Sequence, residues 1–338
     1  MTLISNLTRR EWLTTVGATA LYAERTTSQS PNNTAITASR EPLRGVLMIV
    51  ATPYTNEKAV DYEDLAAEVE FLDQRGINGL VWPQYSSDLP YLTHEERLHG
   101  MEVLADASRD RLVSLILGVQ GTNTGQMLEY ANHATAVGCD AMIAMPPSEA
   151  HSIDDYREYY TALCHATDKP IFIQTTGGAA DRVEPTVEFI IEMSERFPNF
   201  GYVKEEYGDT LARMKQFKVH RPNTIKRIFG GTRARAWTYE MRLGMDGTMT
   251  GGPQYPEVYT RLWQLHLENR QAEVRELFSQ LLMITNLEQY VPGLRAYLMQ
   301  QRGVFKTHIG RDTNYTFSPD AIDEIDYVLQ PLKSHFIA

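Results

Sequence analysis

The residue with the clearest chemical potential is Lys204, at the end of the run Phe200-Gly-Tyr-Val-Lys-Glu-Glu206. An apolar strand that ends in lysine carries an amine to the rim of a sheet, where neighbouring strand ends partly shield it. Desolvation disfavours the ammonium, and a neutral amine can attack a ketone or aldehyde to give a Schiff base. The iminium then acts as an electron sink, so that an adjacent C–C bond or proton can be broken. The plainer alternative is an ammonium that points to water and pairs with Glu205 or Glu206. Asp88 is a second candidate, as acid or base, against the simpler role of capping a loop amide. Metal-assisted hydrolysis would need histidines and carboxylates clustered at strand ends, whereas His94, His133, His151 and His165 fall in helical or pre-helical stretches. The two cysteines, Cys139 and Cys164, form no CxxC pair, so neither a disulfide scaffold nor a structural zinc site is expected.

The elements that must position these groups recur regularly from Arg44 onward. Strand-like runs are expected at Gly45–Ala51, Asn78–Trp82, Leu112–Gly118, Ala141–Met145, Pro170–Gln174, Phe200–Val203, Ile225–Phe229 and Gly247–Thr250. Each feeds a helical pattern: Tyr62–Gln74, Thr93–Ala107, Thr124–Val137, Ile153–His165, Glu184–Arg196, Gly208–Phe217, Ala234–Leu243 and Tyr255–Asn269. Further helices are expected at Ala272–Leu287, Leu294–Arg302 and Asp320–Leu329. Eight short apolar runs alternating with helices fit an α/β fold, the closed (β/α)8 TIM barrel with a C-terminal helical extension. The rival, a doubly wound open sheet, lacks its Gly-x-Gly-x-x-Gly turn after the first strand. The expected organisation is a segment over 1–40, a barrel over 41–286 and an extension over 287–338.

In such a barrel the reactive positions are the strand C-termini and the loops after them. These are Thr52-Pro53, Pro83 to Leu89, Gln120 to Asn123, Pro146-Pro147-Ser148, Gln174 to Gly178, Lys204 to Gly208, Gly230 to Arg233 and Thr248 to Gly252. Candidate substrate contacts in this set include Ser86, Ser87, Asp88, Ser148, Thr248 and Met249.

The 338 residues carry 32 Lys and Arg against 43 Asp and Glu, a formal net charge of −11. That balance disfavours non-specific binding to nucleic acid or to anionic membranes. Residues 1–40 differ from the rest. They hold 13 Ser or Thr and lack a periodic apolar face, which is the pattern of a poorly ordered segment. Within them Arg9-Arg10 precedes a short, mildly apolar run to Ala23, similar to a twin-arginine export signal. A functional signal would make the protein periplasmic or exported; otherwise it would be cytoplasmic. No stretch is long and apolar enough to suggest a membrane span.

In family order, the segments Val50-Ala-Thr-Pro53 with Val60-Asp61, Gly79-Leu-Val81, Leu92-Thr-His-Glu-Glu-Arg97, Gly138-Cys-Asp-Ala-Met142, Pro170 to Gln174, Val203-Lys204-Glu205 with Gly208-Asp209, and Gly244-Met-Asp-Gly247 resemble the dihydrodipicolinate synthase and N-acetylneuraminate lyase family. These are class I, Schiff-base aldolases and dehydratases, and the resemblance implies that Lys204 forms the imine with an oxo acid. It also exposes departures. The family's Gly-Thr-Thr-Gly-Glu, whose threonines hold the substrate carboxylate, is Gln84-Tyr-Ser-Ser-Asp88 here, so Tyr85 and Ser86 stand for both threonines. Pro-Tyr-Tyr of the synthase branch is Pro146-Pro147-Ser148, the family's proton-passing tyrosine is Gln174, and an arginine of the synthase branch falls near Ala179.

Glutamine does not titrate near neutral pH, although its amide can hold a water or a carbonyl. Tyr85 supplies a phenol from another direction. The expected function is therefore a Schiff-base-forming lyase, aldolase or dehydratase, acting through Lys204 with Tyr85 and Gln174 on a small oxo acid or sugar-acid-like carbonyl compound. It would be neither a true dihydrodipicolinate synthase nor a sialic acid lyase. The alternative is a barrel that binds such a compound without turning it over. No nicotinamide, flavin, phosphate-loop or pyridoxal motif occurs, so no cofactor is expected. In the tail, Tyr290 to Arg295 and Arg302 to Thr307 resemble the family's covering helix, with surface packing the leading role for Lys306 and Arg311. Exposed Trp and Tyr on the final helices would suit a homodimer or homotetramer, the states the family commonly adopts.

Overall fold

The computed structural model describes residues 43–311 and 315–337. Eight strands alternate with helices: β1 (Gly45–Ile49), α1 (Tyr62–Gln74), β2 (Gly79–Trp82), α2 (His94–Ser108), β3 (Ser114–Gly118), α3 (Thr124–Val137), β4 (Ala141–Ala144) and α4 (Ile153–Ala166) form the first half. The second half is β5 (Ile171–Gln174), α5 (Val187–Arg196), β6 (Tyr202–Glu205), α6 (Thr210–Lys218), β7 (Arg227–Gly230), α7 (Trp237–Leu243), β8 (Gly247–Thr250) and α8 (Pro256–Leu267). All neighbours pair in parallel, in chain order, and β8 returns to β1 to close the barrel. Beyond it lie α9 (Gln271–Leu287), α10 (Leu294–Gln301) and α11 (Pro319–Leu329). The expected TIM barrel with additional C-terminal helices is the observed fold.

Side-chain alternation along the strands divides the core in two. Leu47, Ile49, Val81, Ile116, Ile143, Phe172, Phe229 and Met249 pack against one another inside the barrel. Their strand neighbours, such as Met48, Leu80, Leu117, Met142, Ile173, Val203 and Ile228, belong to a larger layer shared with the helices. The two periods thus produce one sheet buried on both faces, as its continuous apolar runs require. The closing seam depends on glycine. Gly45 pairs with Gly247, both at positive φ, and a Cβ on Gly247 would collide with the backbone of Gly45.

Helix starts follow local chemistry. Asp61, Thr93, Asn123, Ser152, Thr186 and Asp209 each accept a backbone N–H in the first turn of α1 to α6, each cap contributing about 1 kcal/mol. Thr93 and Glu96 complete the capping box expected from their spacing. Several boundaries differ from the sequence pattern by a few residues, and two of them have a clear local cause. Helix α5 begins at Val187 rather than Glu184, because Thr186 caps it immediately after Pro185. Strand β6 begins at Tyr202 rather than Phe200, since Gly201 turns the chain at a φ of 104°, and it runs on through Lys204 to Glu205.

The C-terminal extension is tied to the barrel by buried and bidentate ion pairs. Glu257 on α8 receives both Arg75 from α1 and Arg302 after α10. Lys306 binds Asp61 and Glu63, and Arg311 forms a bidentate pair with Glu96 on α2. Lys306 and Arg311 therefore carry packing contacts, and the clasp fixes α10 against the barrel rim. Trp263, on α8, is buried, contrary to the exposure expected of Trp on the final helices, while Tyr290 and Tyr327 do face solvent. Among the described residues no helix is long and apolar enough to cross a membrane. The Arg9-Arg10 segment lies outside the described residues.

Candidate active site

Lys204 is the last inward-facing residue of β6 and is the register partner of Gln174 at the end of β5. Its amine is buried, 3 % exposed, and donates to Gln174 Oε1 at 3.0 Å. On its other side Nζ lies 3.1 Å from Glu206 Oε2. Glu206 is held in turn by Thr176 Oγ1 at 3.2 Å and by the backbone N–H of Thr232 at 2.7 Å. Burial pushes the Glu206 carboxyl up. The Lys204 charge and these hydrogen bonds more than offset that, leaving it below the ordinary glutamate value. Gly231 makes room for it: a Cβ there would strike the Glu206 carboxylate.

The alternation that turns Lys204 and Glu206 inward turns Glu205 outward. There Glu205 meets Arg213 Nε at 3.1 Å and Thr175 Oγ1 at 2.9 Å, and burial raises its carboxyl despite Arg213. Of the two glutamates left open by the sequence, Glu206 is the partner of Lys204. A third carboxyl, Glu240 on α7, packs against Gly230. Burial, and then the charge of Glu206, push it up to about 7, and its Oε2 has no hydrogen-bond partner.

The remaining sequence candidates separate. Tyr85 lies half exposed, with its phenol oxygen accepting from Gly178 N at 3.4 Å, over the loop that follows β5. Ser87 is committed to the scaffold, donating to Val50 O at 2.6 Å. Thr248 is buried with its hydroxyl toward Gly230 O at 3.4 Å, and Met249 fills the barrel interior. Ser148 is exposed, and its carbonyl accepts from Arg182. Asp88 sits in a left-handed conformation at φ 59° beside Tyr54, whose phenol burial and the Asp88 charge push far up.

Ser86 and Asp88 line a cavity of about 160 Å³ between the barrel rim and α10, together with Thr52, Arg233, Glu288 and Arg295. Lys204 does not itself line it. The two are linked through the turn after β7, where Thr232 holds Glu206 and the next residue, Arg233, faces the cavity. Arg295 donates to Ser86 O at 2.6 Å. Sequence reasoning missed both Arg295 and Glu240, since neither stands at a strand end. Among the described residues no group of three or more His, Cys, Asp or Glu is arranged to hold a metal ion.

A closed parallel barrel whose sixth strand delivers a buried amine to the rim is the architecture of Schiff-base aldolases, and likeness to known proteins agrees with that class. Residues 42–330 match the Dihydrodipicolinate synthetase family, and the chain belongs to it. It is 27% identical over 254 residues to 4-hydroxy-tetrahydrodipicolinate synthase of Parabacteroides distasonis, covering 72% of this chain and 84% of the relative. It is 22% identical over 249 residues to an uncharacterised DapA-like lyase of Pyrococcus furiosus, covering 72% and 81%. An Escherichia coli K12 prophage protein of the dihydrodipicolinic acid synthase family, solved with pyruvate, superposes with a TM-score of 0.76 at 19% identity, over 86% of this chain and 99% of that one. Proteus mirabilis N-acetylneuraminate lyase gives 0.75 at 17%, over 85% and 99%.

Proposed function

We propose that this protein is a Schiff-base-forming lyase, an aldolase or dehydratase, that acts on a small oxo acid or sugar-acid-like carbonyl compound through Lys204. The carrying observation is the buried amine between Gln174 Oε1 and the Glu206 carboxylate at 3.0 and 3.1 Å. The carboxylate takes the proton that Nζ must lose before attack, and returns it to the carbinolamine oxygen as water leaves. Gln174, unable to titrate, orients Nζ by accepting from it. Glu206 thus takes over proton transfer from the tyrosine that relatives carry at the position of Gln174. The neutral iminium precursor forms in a site shielded from water, and cleavage or dehydration of the adduct follows by electron flow into the iminium.

A panel of 2-oxo acids, sugar acids and simple aldehydes followed by NMR tests this reading. Turnover of one of them by the wild type, lost in Lys204→Ala, supports it. A second reading, binding without turnover, is favoured by the ion pair itself, which engages the amine with Glu206 at 3.1 Å. It predicts saturable binding of an oxo compound with no chemical change.

A further inference from the structure

The lysine accounts for the carbonyl of the substrate but leaves its acid group without a partner. We propose that Arg295, from α10 outside the barrel, is the cation that receives the substrate's carboxylate, with the Ser86 hydroxyl as the second contact. This rests on the oxo acid reading above and names the specificity-determining residue of that site.

Three observations carry it. Arg295 has no carboxylate within ion-pair distance among the described residues. Its Nη1 donates to Ser86 O at 2.6 Å, and its Nε is buried without a partner. A guanidinium has five donors, and the hydrogen bond to Ser86 O uses one of them. The group also converges with Ser86 on one point. The position a Cβ would take on Gly251, the residue after β8, lies 3.0 Å from Ser86 Oγ and 3.1 Å from Arg295 Nη2. Both polar groups thus stand against the same glycine, which has no side chain to push them apart. Finally, both residues line the cavity at the barrel rim with a second guanidinium, Arg233, that also forms no ion pair among the described residues.

The buried carboxyl of Glu68 on α1 accepts from Ala51 N at 3.0 Å, and burial favours its neutral form; Asp88 and Glu288 line the same cavity as Arg295 without forming an ion pair with it. The 84–87 loop offers one side-chain hydroxyl, Ser86, toward this point, since Ser87 is bonded to Val50. A carboxylate held by Ser86 alone would be weakly bound, and the arginine supplies the charge.

The test compares paired probes on wild type, Arg295→Ala and Arg295→Lys. Calorimetric binding is measured for a series of unbranched 2-oxo acids beginning with pyruvate, and for the aldehydes of matching chain length, which lack the carboxyl group. Borohydride reduction of the same mixtures reports imine at Lys204. Loss of one charge-assisted contact corresponds to about 10- to 100-fold weaker binding of the acid in Arg295→Ala. The aldehyde should change less than about twofold, and Arg295→Lys should recover part of the acid affinity. Equal losses for acid and aldehyde would mean that Arg295 only braces the Ser86 loop, and would overturn the proposal. So would unchanged acid binding in Arg295→Ala, or a wild type that binds no acid of the series. Acid binding that depends on Arg295, without any adduct on Lys204, would refute the Schiff-base reading and leave this inference standing.

Discussion

Glu68→Gln tests the electrostatics beneath the site. Glu68 is fully buried on α1, with Oε1 accepting from Ala51 N at 3.0 Å and Oε2 without a partner. Burial pushes its carboxyl up to about 8, against the weaker pull of the Ala51 bond and the Arg295 charge. In the unfolded chain the same group titrates at the ordinary glutamate value near 4.3. Between these values the folded state holds a proton that the unfolded state has released, so stability falls as pH rises through the window and levels off above about 8. Each pH unit is worth about 1.4 kcal/mol, which places the total at pH 7.5 on the order of 4 kcal/mol. Glutamine keeps the shape and the acceptor for Ala51 but cannot ionise. Urea unfolding of both proteins at pH 5, 6, 7 and 8 should therefore show similar stabilities at pH 5, with the variant gaining steadily on the wild type up to pH 8. Parallel pH profiles, or a variant that loses ground as pH rises, would refute the assignment of a neutral carboxyl at this position.

Glu206→Gln should slow imine formation at pH 7 by about 100-fold or more, the usual contribution of a positioned base, and the deficit should shrink in alkaline buffer. Timed borohydride quenching gives the rate. Gly231→Ala places a methyl group against the Glu206 carboxylate, the free end of a side chain. We expect Glu206 to swing away from Lys204 and Thr232, with a loss of about 1–3 kcal/mol in urea unfolding and a clear fall in imine formation rate. An unaltered rate would mean that the Glu206 contact is not used.

Much of this architecture was legible because its signals are local. Short apolar runs identify strands buried on both faces, and Thr93 marks a helix start through its own side chain, whereas the cap at Thr186 lies beyond the start at Glu184 that the sequence pattern suggests. Lys204 and Gln174 were legible as strand-end residues, and register brings them together. The choice between Glu205 and Glu206 was open in the sequence, although period-two alternation from Lys204 already favours Glu206 as the inward one. The same parity turns Thr248 away from the interior and Met249 into it. Arg295 had no such local signal. Its place over the rim depends on Arg302, Lys306 and Arg311 clasping distant helices, which is tertiary information. Tyr85 illustrates the converse: a loop residue adjacent to the site in sequence whose phenol is held by Gly178 instead.

The central claim is that Lys204 forms the covalent bond. Protein incubated with the panel of 2-oxo acids, sugar acids and aldehydes would be reduced with borohydride, digested and examined by peptide mass. The account predicts a stable adduct on the peptide containing Lys204, absent in Lys204→Ala, with a mass that identifies the carbon skeleton of the bound compound. Adducts confined to scattered surface lysines, from folded protein shown to bind a member of the panel, would contradict it.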